Sequence, residues 1–169
     1  NTYSKQLVHQ WRGEEQAILV GTQTVLEDNP KLNVRTWEGK NPIRIILDKS
    51  LKIPSHFFVF DQSVQTFLLT AEKDSSKYLD GVTYEQLDFT KPVANQICTL
   101  LHKHSISSLL VEGGTKTLQT FIDKGLWDEA RIFKGTSLFG SGTPAPVISG
   151  KLVHSEKIIS DTLSILKHD

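Results

Sequence analysis

The junction at residues 111–118, which reads VEGGTKTL, constrains the fold of this chain more than any other stretch. The residues before it, 107–111, form a short run that becomes apolar and stops at the glycines, which is typical of a buried strand. After it, Leu118, Phe121 and Ile122 recur at helical spacing. The junction therefore predicts a strand, a glycine turn and a helix in direct succession.

A strand-to-helix glycine turn of this kind is suited to holding an anion. Glycine has no Cβ to block a ligand, and the free N–H groups of the first helical turn favour phosphate. The alternative is a tight turn without a ligand, since two glycines alone discriminate loosely. Glu112 favours a ligand, because a carboxylate at the carboxyl end of a buried strand costs desolvation energy unless something binds it.

Strands and helices alternate along much of the chain. Further strands are predicted at 17–21, 42–48, 65–70 and 81–84, and further helices at 22–28 and 93–104, with a first helix capped by Ser4. This alternation predicts an α/β domain with a mostly parallel sheet and flanking helices. Two final strands, 129–133 and 162–166, are joined through a loop at 140–146 without a helix, which predicts an antiparallel hairpin at one edge of a mixed sheet.

Composition limits the possible functions. With 169 residues and no linker, the chain is predicted to form one domain, residues 1–169. Nineteen basic residues balance nineteen acidic ones, which argues against nucleic acid or a membrane surface as a partner. The single cysteine, Cys98, excludes an intrachain disulfide and is interpreted as a buried structural thiol. No bilayer-spanning run or signal peptide is recognisable, so a soluble, cytoplasmic protein is expected.

Residues 17–35 contain a second strand-glycine-helix junction with several candidate ligand contacts. Gly21 lets the backbone approach a ligand, Thr24 places a hydroxyl on the first helical turn, and Asp28 lies one turn further along the same face. These groups suit an amide or a ribose. Asp28 has an alternative role, which is to cap the turn that follows the helix.

Two arginines, Arg12 and Arg35, flank this second junction. A pair of guanidinium groups is well matched to a phosphate, because each offers a planar fork of two donors. The alternative is that both arginines serve only the solubility of the surface. Because the two arginines flank the same glycine junction, phosphate binding is as good an interpretation as a surface role.

Other catalytic patterns are missing from the sequence. The six histidines show no metal-ligand spacing, and neither a G-x-S-x-G elbow nor a Cys/His pair occurs, so metal catalysis and the common hydrolase mechanisms have no support. The G-x-G-x-x-G and Walker patterns are absent as well. What remains is chemistry supplied by a bound cofactor.

Four separated motifs carry a family resemblance, namely AILVGTQTVLEDNPKLNVR at 17–35, PIRIILD at 42–48, VEGG at 111–114 and LFGSG at 138–142. In this order they resemble the reductase domain of the bifunctional riboflavin-biosynthesis deaminase/reductase, over most of the chain. The resemblance implies a dihydrofolate-reductase-like fold, a homodimer, and NADPH-dependent reduction of 5-amino-6-(5-phosphoribosylamino)uracil to the ribitylamino product.

The resemblance also implies roles for individual residues. The implied substrate contacts are Arg12, Leu32, Arg35 and Glu112, with the two arginines near the substrate phosphate. The implied cofactor contacts are Thr24, Asp28, Lys49, Gly114, Thr115, Lys116, Thr117, Leu118, Gln119 and Thr120. Lys49 departs from the family pattern, in which a small hydroxyl residue is usual. The resemblance identifies neither a catalytic acid or base nor a metal ligand in this chain.

Two further departures concern the extent of the chain. The H-x-E and P-C-x-x-C zinc motifs of the family's deaminase domain are absent, so zinc-dependent deamination is not expected. The family's reductase domain begins with a strand before the first helix, and we expect this chain to be a reductase domain without that strand. Two rival functions stay open: a pterin or folate reductase on the same scaffold, and a non-catalytic module for nucleotide binding or dimerisation.

Overall fold

The computed structural model describes residues 1–138 and 140–168. Phe139, which belongs to the motif at 138–142, and Asp169 lie outside these ranges. The α-helices are α1 (Thr2–Glu14), α2 (Thr22–Asp28), α3 (Val93–Lys103) and α4 (Thr115–Ile122), with short 3₁₀ turns at Phe58–Phe60 and Ser75–Lys77. Within the described ranges, no helix is both long and apolar enough to cross a membrane.

Five parallel strands form the central sheet. They are β1 (Ala17–Gly21), β2 (Ile43–Leu47), β3 (Thr66–Thr70), β4 (Thr83–Gln86) and β5 (Leu109–Gly113). Their order across the sheet is β4-β3-β2-β1-β5, and every neighbouring pair is parallel. The predictions of these five strands and of their parallel arrangement are therefore confirmed, with small differences at the strand ends.

Two hydrophobic cores lie on opposite faces of the parallel sheet, because successive side chains of a strand point in opposite directions. In β1, Ala17 and Leu19 join one core, whereas Ile18 and Val20 join the other. The first core includes residues of α3 and α4, and the second includes Val25 of α2 and the loops that follow α2 and β2. Burial on both faces explains why β1 is continuously apolar in sequence.

Three antiparallel strands form a second sheet. They are β6 (Glu129–Lys134), β7 (Lys151–Ile158) and β8 (Asp161–Lys167), in the order β6-β8-β7. The α/β class is confirmed, and β6 and β8 pair as expected, but they do so in a sheet of their own rather than at an edge of the parallel sheet. The unexpected strand β7 reads KLVHSEKI, which lacks an alternating apolar pattern because it is exposed along nearly its whole length.

Helix α1 is capped by Asn1, so the prediction of Ser4 as the cap was wrong. The Asn1 side-chain oxygen accepts a hydrogen bond from the Ser4 N–H at 3.0 Å, which is the usual N-cap geometry. Ser4 is buried within the first turn, and its hydroxyl donates to Asp161 Oδ2 at 2.6 Å. Further along α1, Trp11 stacks on Phe133 with ring centroids 5.5 Å apart. Helix α1 therefore packs against the antiparallel sheet.

A fully buried arginine, Arg44, joins β2 to two loops. Its guanidinium donates twice to Lys31 O, at 3.1 and 2.8 Å, and once each to Asp61 Oδ1 at 2.6 Å and Ser63 Oγ at 3.1 Å. A fifth hydrogen bond reaches Val59 O at 3.4 Å. Because every guanidinium nitrogen has an acceptor, the charge is tolerated in an interior where an unpaired charge would be strongly unfavourable.

Acid is expected to weaken this arrangement through Asp61. Burial alone would raise the pKa of the Asp61 carboxyl, but hydrogen bonds from Arg44 and Ser63 outweigh burial and lower the pKa to about 2. Because the folded-state pKa lies below the unfolded one, the carboxylate stabilises the fold above about pH 4, and this stabilisation is lost as the pH falls toward about 2. In urea denaturation, the stability difference between wild type and Asp61→Asn should shrink over that range. A difference that is independent of pH would contradict this prediction.

Candidate functional site

The two glycine junctions lie side by side at one edge of the parallel sheet. Strands β1 and β5 are hydrogen-bonded neighbours, with Ala17 opposite Leu109 and Val20 opposite Gly113. The polypeptide therefore leaves both strands at the same end of the sheet, from β1 into α2 and from β5 into α4. The two turns therefore lie next to each other.

Each turn packs a threonine against the glycine of the other turn. A Cβ added to Gly21 would lie 2.5 Å from the hydroxyl oxygen of Thr117, which belongs to the first turn of α4. A Cβ added to Gly113 would lie 3.0 Å from Cγ2 of Thr24 in α2. Such distances leave no room for a larger residue, so these glycines are needed for the two turns to approach each other.

The hydroxyl groups of Thr24 and Thr117 converge on Gly114. They lie 3.2 and 3.7 Å, respectively, from the position that a Gly114 Cβ would occupy, and Gly114 itself has a φ of 78°. Within the described part of the chain, neither hydroxyl has a hydrogen-bond partner, and no side chain caps the start of α4. We call this arrangement the Gly114 recess. It combines unused hydroxyls with the free N–H groups of a helix start, as an anionic or amide-bearing ligand requires.

The other candidate cofactor contacts of α4 do not all face this recess. Thr115 Oγ1 donates to Pro144 O at 2.7 Å, and Gln119 both donates to Val147 O at 3.1 Å and accepts from Val147 N at 2.8 Å. Thr120 donates back to the Lys116 carbonyl, at 2.8 Å within the helix, while Leu118 is half-buried and Lys116 exposed. Thus Thr117 faces the recess, whereas Thr115 and Gln119 hold the segment 144–147.

Asp28 and Lys49 follow strands β1 and β2 at the same end of the sheet, but among the described residues neither makes a hydrogen bond with Thr24, Gly114 or Thr117. Asp28 is the exposed last residue of α2. Lys49 follows β2, the neighbour of β1, and its carbonyl accepts from Thr70 Oγ1 at 3.0 Å. The Lys49 ammonium is exposed and lies 5.8 Å from the ring centroid of Phe89.

Glu112 forms an ion pair with Arg12. This ion pair offsets the cost of burying a carboxylate at the end of a strand. The pairing of β1 with β5 skips Glu112, since Leu19 lies opposite Val111 and the next pair begins at Gly113. The Arg12 guanidinium donates to both carboxylate oxygens, from Nε at 2.6 Å and from Nη2 at 2.5 Å. Both side chains are largely buried, so this bidentate ion pair ties α1 to the end of β5.

The loop at residues 31–35 lies next to this ion pair. Arg12 Nη1 donates to Asn33 O at 3.2 Å. The Leu32 side chain is 1% exposed and belongs to a hydrophobic core, with a backbone φ of 51°. Of the four candidate substrate contacts, Arg12, Glu112 and the neighbouring Arg35 are thus brought together, whereas Leu32 has only its backbone to offer a ligand.

Arg35 carries the exposed positive charge of this region. Its Nη1 donates to Asn33 Oδ1 at 2.6 Å, and Arg35 lines a broad open depression of about 700 Å³. The depression is also lined by Gln6, Thr36, Trp37 and Glu38. Unlike Arg12, Arg35 makes no ion pair with a carboxylate of the described residues. Its guanidinium is therefore available to an anionic ligand.

His9 is a site residue that the sequence reasoning missed. It is 7% exposed, and its Nδ1 accepts a hydrogen bond from the backbone N–H of Arg35 at 3.3 Å. Burial, followed by the charges of Arg12 and Arg35, lowers the pKa of His9 below its usual value. Its position three residues before Arg12 in a helix was a usable signal, because such residues share a helix face.

Metal binding finds no support in the geometry. Across residues 1–138 and 140–168, no three histidine, cysteine, aspartate or glutamate side chains are grouped so that they could hold an ion. Cys98 is partly buried, and burial raises the pKa of its thiol. The Gly114 recess therefore contains neither a metal-binding cluster nor a reactive cysteine among the described residues.

Residues 1–164 match the family described as the RibD C-terminal domain. The riboflavin biosynthesis protein RibD of Bacillus amyloliquefaciens is 33% identical over 156 residues, which cover 88% of this chain and 42% of that protein. The RibD protein of Aquifex aeolicus is 32% identical over 142 residues, covering 82% of this chain and 40% of that protein. This chain therefore spans about two fifths of the length of these relatives.

A shorter relative, the 2,5-diamino-6-ribosylamino-4(3H)-pyrimidinone 5′-phosphate reductase of A. aeolicus, is 28% identical over 155 residues, which cover 85% of this chain and 67% of that protein.

Among solved structures, the diaminohydroxyphosphoribosylaminopyrimidine deaminase/5-amino-6-(5-phosphoribosylamino)uracil reductase of Thermotoga maritima matches with a TM-score of 0.85 at 31% identity, covering 96% of this chain and 48% of that one. The Saccharomyces riboflavin biosynthesis reductase Rib7 matches with a TM-score of 0.77 at 24% identity, covering 97% and 80%, respectively, and this likeness concerns the fold alone. The expected reductase fold is confirmed, and the chain belongs to the RibD C-terminal domain family.

Proposed function

We propose that the chain reduces 5-amino-6-(5-phosphoribosylamino)uracil to its ribitylamino product with NADPH as the reductant. The family, and relatives whose names describe reductases of phosphorylated pyrimidines, support this reaction and imply a nicotinamide cofactor. The observation that carries the proposal is the Gly114 recess, in which two unused hydroxyls meet the uncapped start of α4.

The Gly114 recess suits the phosphate and amide groups of a nicotinamide dinucleotide. The main-chain N–H groups at the start of α4 point toward an incoming anion, which the helix dipole favours. The hydroxyls of Thr24 and Thr117 can each donate or accept a hydrogen bond. Asp28, Lys49 and the remainder of α4 to Thr120 complete the proposed cofactor site. The exposed Lys49 ammonium suits the additional phosphate that distinguishes NADPH from NADH.

The proposed substrate site lies on the opposite side of Glu112, around the 31–35 loop. Arg35 offers its free guanidinium fork to the substrate phosphate. The ion pair between Arg12 and Glu112 holds α1 and the loop against the end of β5 and leaves polar edges of both groups for the substrate. Leu32 contributes its backbone, because its side chain is in the core.

The reaction needs a hydride and a proton. When bound, the cofactor would supply the hydride for C1′ of the open-chain substrate, and water would supply the proton for the ribose oxygen. The residues of the chain bind and align the two molecules, which is the larger part of catalysis in a reaction of this kind.

The test is the loss of nicotinamide absorbance when the complete folded protein, NADPH and the phosphoribosylamino substrate are mixed. Oxidation that requires all three components would support the proposal. A protein that is folded by circular dichroism, binds NADPH in calorimetry and still fails to oxidise it with this substrate would refute it. Absence of any heat of NADPH binding would instead favour a purely structural module.

Replacing Arg35 by alanine is expected to raise the KM for the phosphorylated substrate by about tenfold to a hundredfold, the effect of losing a hydrogen-bonded charge. The value of kcat should change little, because the phosphate is remote from C1′. Steady-state kinetics provide the measurement, with Lys40→Ala as a control that removes an exposed positive charge five residues away. An unchanged KM in Arg35→Ala would favour the rival pterin or folate reductase, whose substrate has no such phosphate.

We also infer that the reductase domain includes a further strand that pairs with an open sheet edge. Among the described strands, β5 pairs only with β1 and β6 only with β8, so each has one unpaired edge. The residues Leu109, Leu110 and Val111 of β5 are only partly buried. Hydrogen exchange provides the test: the β5 amides should exchange more slowly when preceding residues are attached, and equal exchange would argue against the added strand.

A homodimer is the oligomeric state that we propose. Strand β7 is the outer strand of its sheet and exposes Leu152 and Val153 by 57% and 46%. An unpaired strand edge that exposes two adjacent apolar side chains is readily covered by a second copy. Sedimentation velocity would contradict this proposal if the protein stays monomeric at micromolar concentration. A cytoplasmic location, to be checked by cell fractionation, completes the proposal.

A further inference from the structure

We propose that His9 is a positioning residue for the substrate, because it fixes the 31–35 loop in the conformation that presents Arg35 to the substrate phosphate. The inference rests on the proposed function and adds to it a residue of α1 that neither the motifs nor the family resemblance singled out. His9 reaches the substrate only through the backbone of Arg35.

The 31–35 loop has no regular secondary structure, and its shape is set by a series of contacts along its length. Residue by residue, the Lys31 carbonyl accepts from Arg44, the Leu32 side chain is buried in the core, the Asn33 carbonyl accepts from Arg12, the Val34 N–H donates to Asn41 Oδ1, and the Arg35 N–H donates to His9 Nδ1. The last of these contacts is the one that holds the backbone of the phosphate-binding residue.

The histidine must be neutral to serve as this acceptor. An Nδ1 that accepts from the Arg35 N–H cannot carry a proton, so the proton of the neutral ring is on Nε2. Protonation would turn Nδ1 into a donor and break the contact. The charged groups that face His9 are Arg12 on its own helix, Arg35 on the loop and Glu112 at the end of β5, of which the two arginines oppose a further positive charge.

Because His9 lies away from the proposed cofactor site, replacing it should affect substrate binding but not cofactor binding. The Gly114 recess is built from α2, α4 and the glycine turns, none of which is held by His9 in the described structure. Loss of the acceptor should therefore loosen Arg35 and weaken substrate binding, whereas the affinity for NADPH and the rate with saturating substrate should be retained. A role limited to general stability would lower all three quantities together.

The experiment compares His9→Leu, which removes the acceptor, with His9→Asn, whose Oδ1 can take the place of Nδ1, in the complete protein. We expect the KM for the phosphorylated substrate to rise about tenfold in His9→Leu and less than about threefold in His9→Asn. The value of kcat and the calorimetric Kd for NADPH should stay within about twofold of wild type. His102→Leu, at an exposed position of α3, serves as the control.

The pH dependence gives a second, independent readout. As the pH falls, the KM should rise more in wild type than in His9→Asn, because protonation of His9 removes the acceptor, whereas protonation of the substrate phosphate affects both proteins alike. If His9→Leu does not fold, the profiles of wild type and His9→Asn still decide. The inference would be overturned if KM depended on pH identically in wild type and His9→Asn, or if folded His9→Leu had the same KM as wild type. Either result would leave the proposed function intact. A wild type without turnover would overturn both.

Discussion

Replacing Arg44 by leucine is expected to lower the free energy of unfolding by about 3–5 kcal/mol, as is usual when one partner of a buried, hydrogen-bonded charge is removed. The substitution removes five hydrogen bonds, so the Lys31 carbonyl loses both of the bonds that it accepts from Arg44, and the Val59 carbonyl keeps only the one from Thr66 Oγ1. Urea denaturation monitored by tryptophan fluorescence provides the measurement.

A matched control for this prediction is Lys103→Leu. The Lys103 ammonium also bonds a carboxylate, Glu85 Oε1 at 2.8 Å, but its side chain is 62% exposed. Because exposed ion pairs contribute little, this variant should lose no more than about 1 kcal/mol. Similar losses in Arg44→Leu and Lys103→Leu would mean that burial and the hydrogen-bond network of Arg44 are unimportant.

The Arg44 network also affects the candidate site, since the Lys31 carbonyl begins the loop that carries Arg35. Relative to wild type, an Arg44→Leu protein that remains folded should therefore lose more affinity for the phosphorylated substrate than for NADPH. The buried interior and the site are connected here through the backbone of a single loop.

The sequence was sufficient to predict the parallel sheet because its central strands are buried on both faces. The run 17–21 is apolar throughout, the strand at 43–47 is apolar apart from Arg44, and both end at residues that stop a strand. Strand β7 could not be predicted in this way, since its side chains are exposed and no apolar period marks it. Its partner β8 was predictable because residues such as Leu163 are buried.

The candidate site was predictable at its glycine turns but not at its long-range contacts. Glycines and first-turn threonines mark the two turns in sequence, whereas the pairing of Arg12 with Glu112 joins residues 100 positions apart. The same limit applies to the contact between His9 and Arg35, which depends on how α1 packs beside a loop. Such contacts are fixed by the tertiary arrangement, and local periodicity carries no information about them.

Replacing Gly114 by alanine is expected to lower kcat/KM with respect to NADPH by about a hundredfold, a typical effect when a binding element is displaced by about 1 Å. The backbone φ of 78° is unfavourable for alanine, and the new Cβ would lie 3.2 Å from the Thr24 hydroxyl. The methyl group would occupy the recess in which the hydroxyls of Thr24 and Thr117 converge. Calorimetry with NADPH and steady-state kinetics provide the measurements.

Gly125→Ala separates backbone strain from the loss of the recess. Gly125 also has a positive φ, of 61°, but a Cβ there would meet His168 at 3.2 Å, away from both glycine turns. Both variants should lose about 1–3 kcal/mol of stability through strain, and only Gly114→Ala should also lose NADPH affinity. Equal NADPH affinity in the two variants would remove the recess from the cofactor site. The reductase assignment would then depend on family membership without a binding geometry to support it.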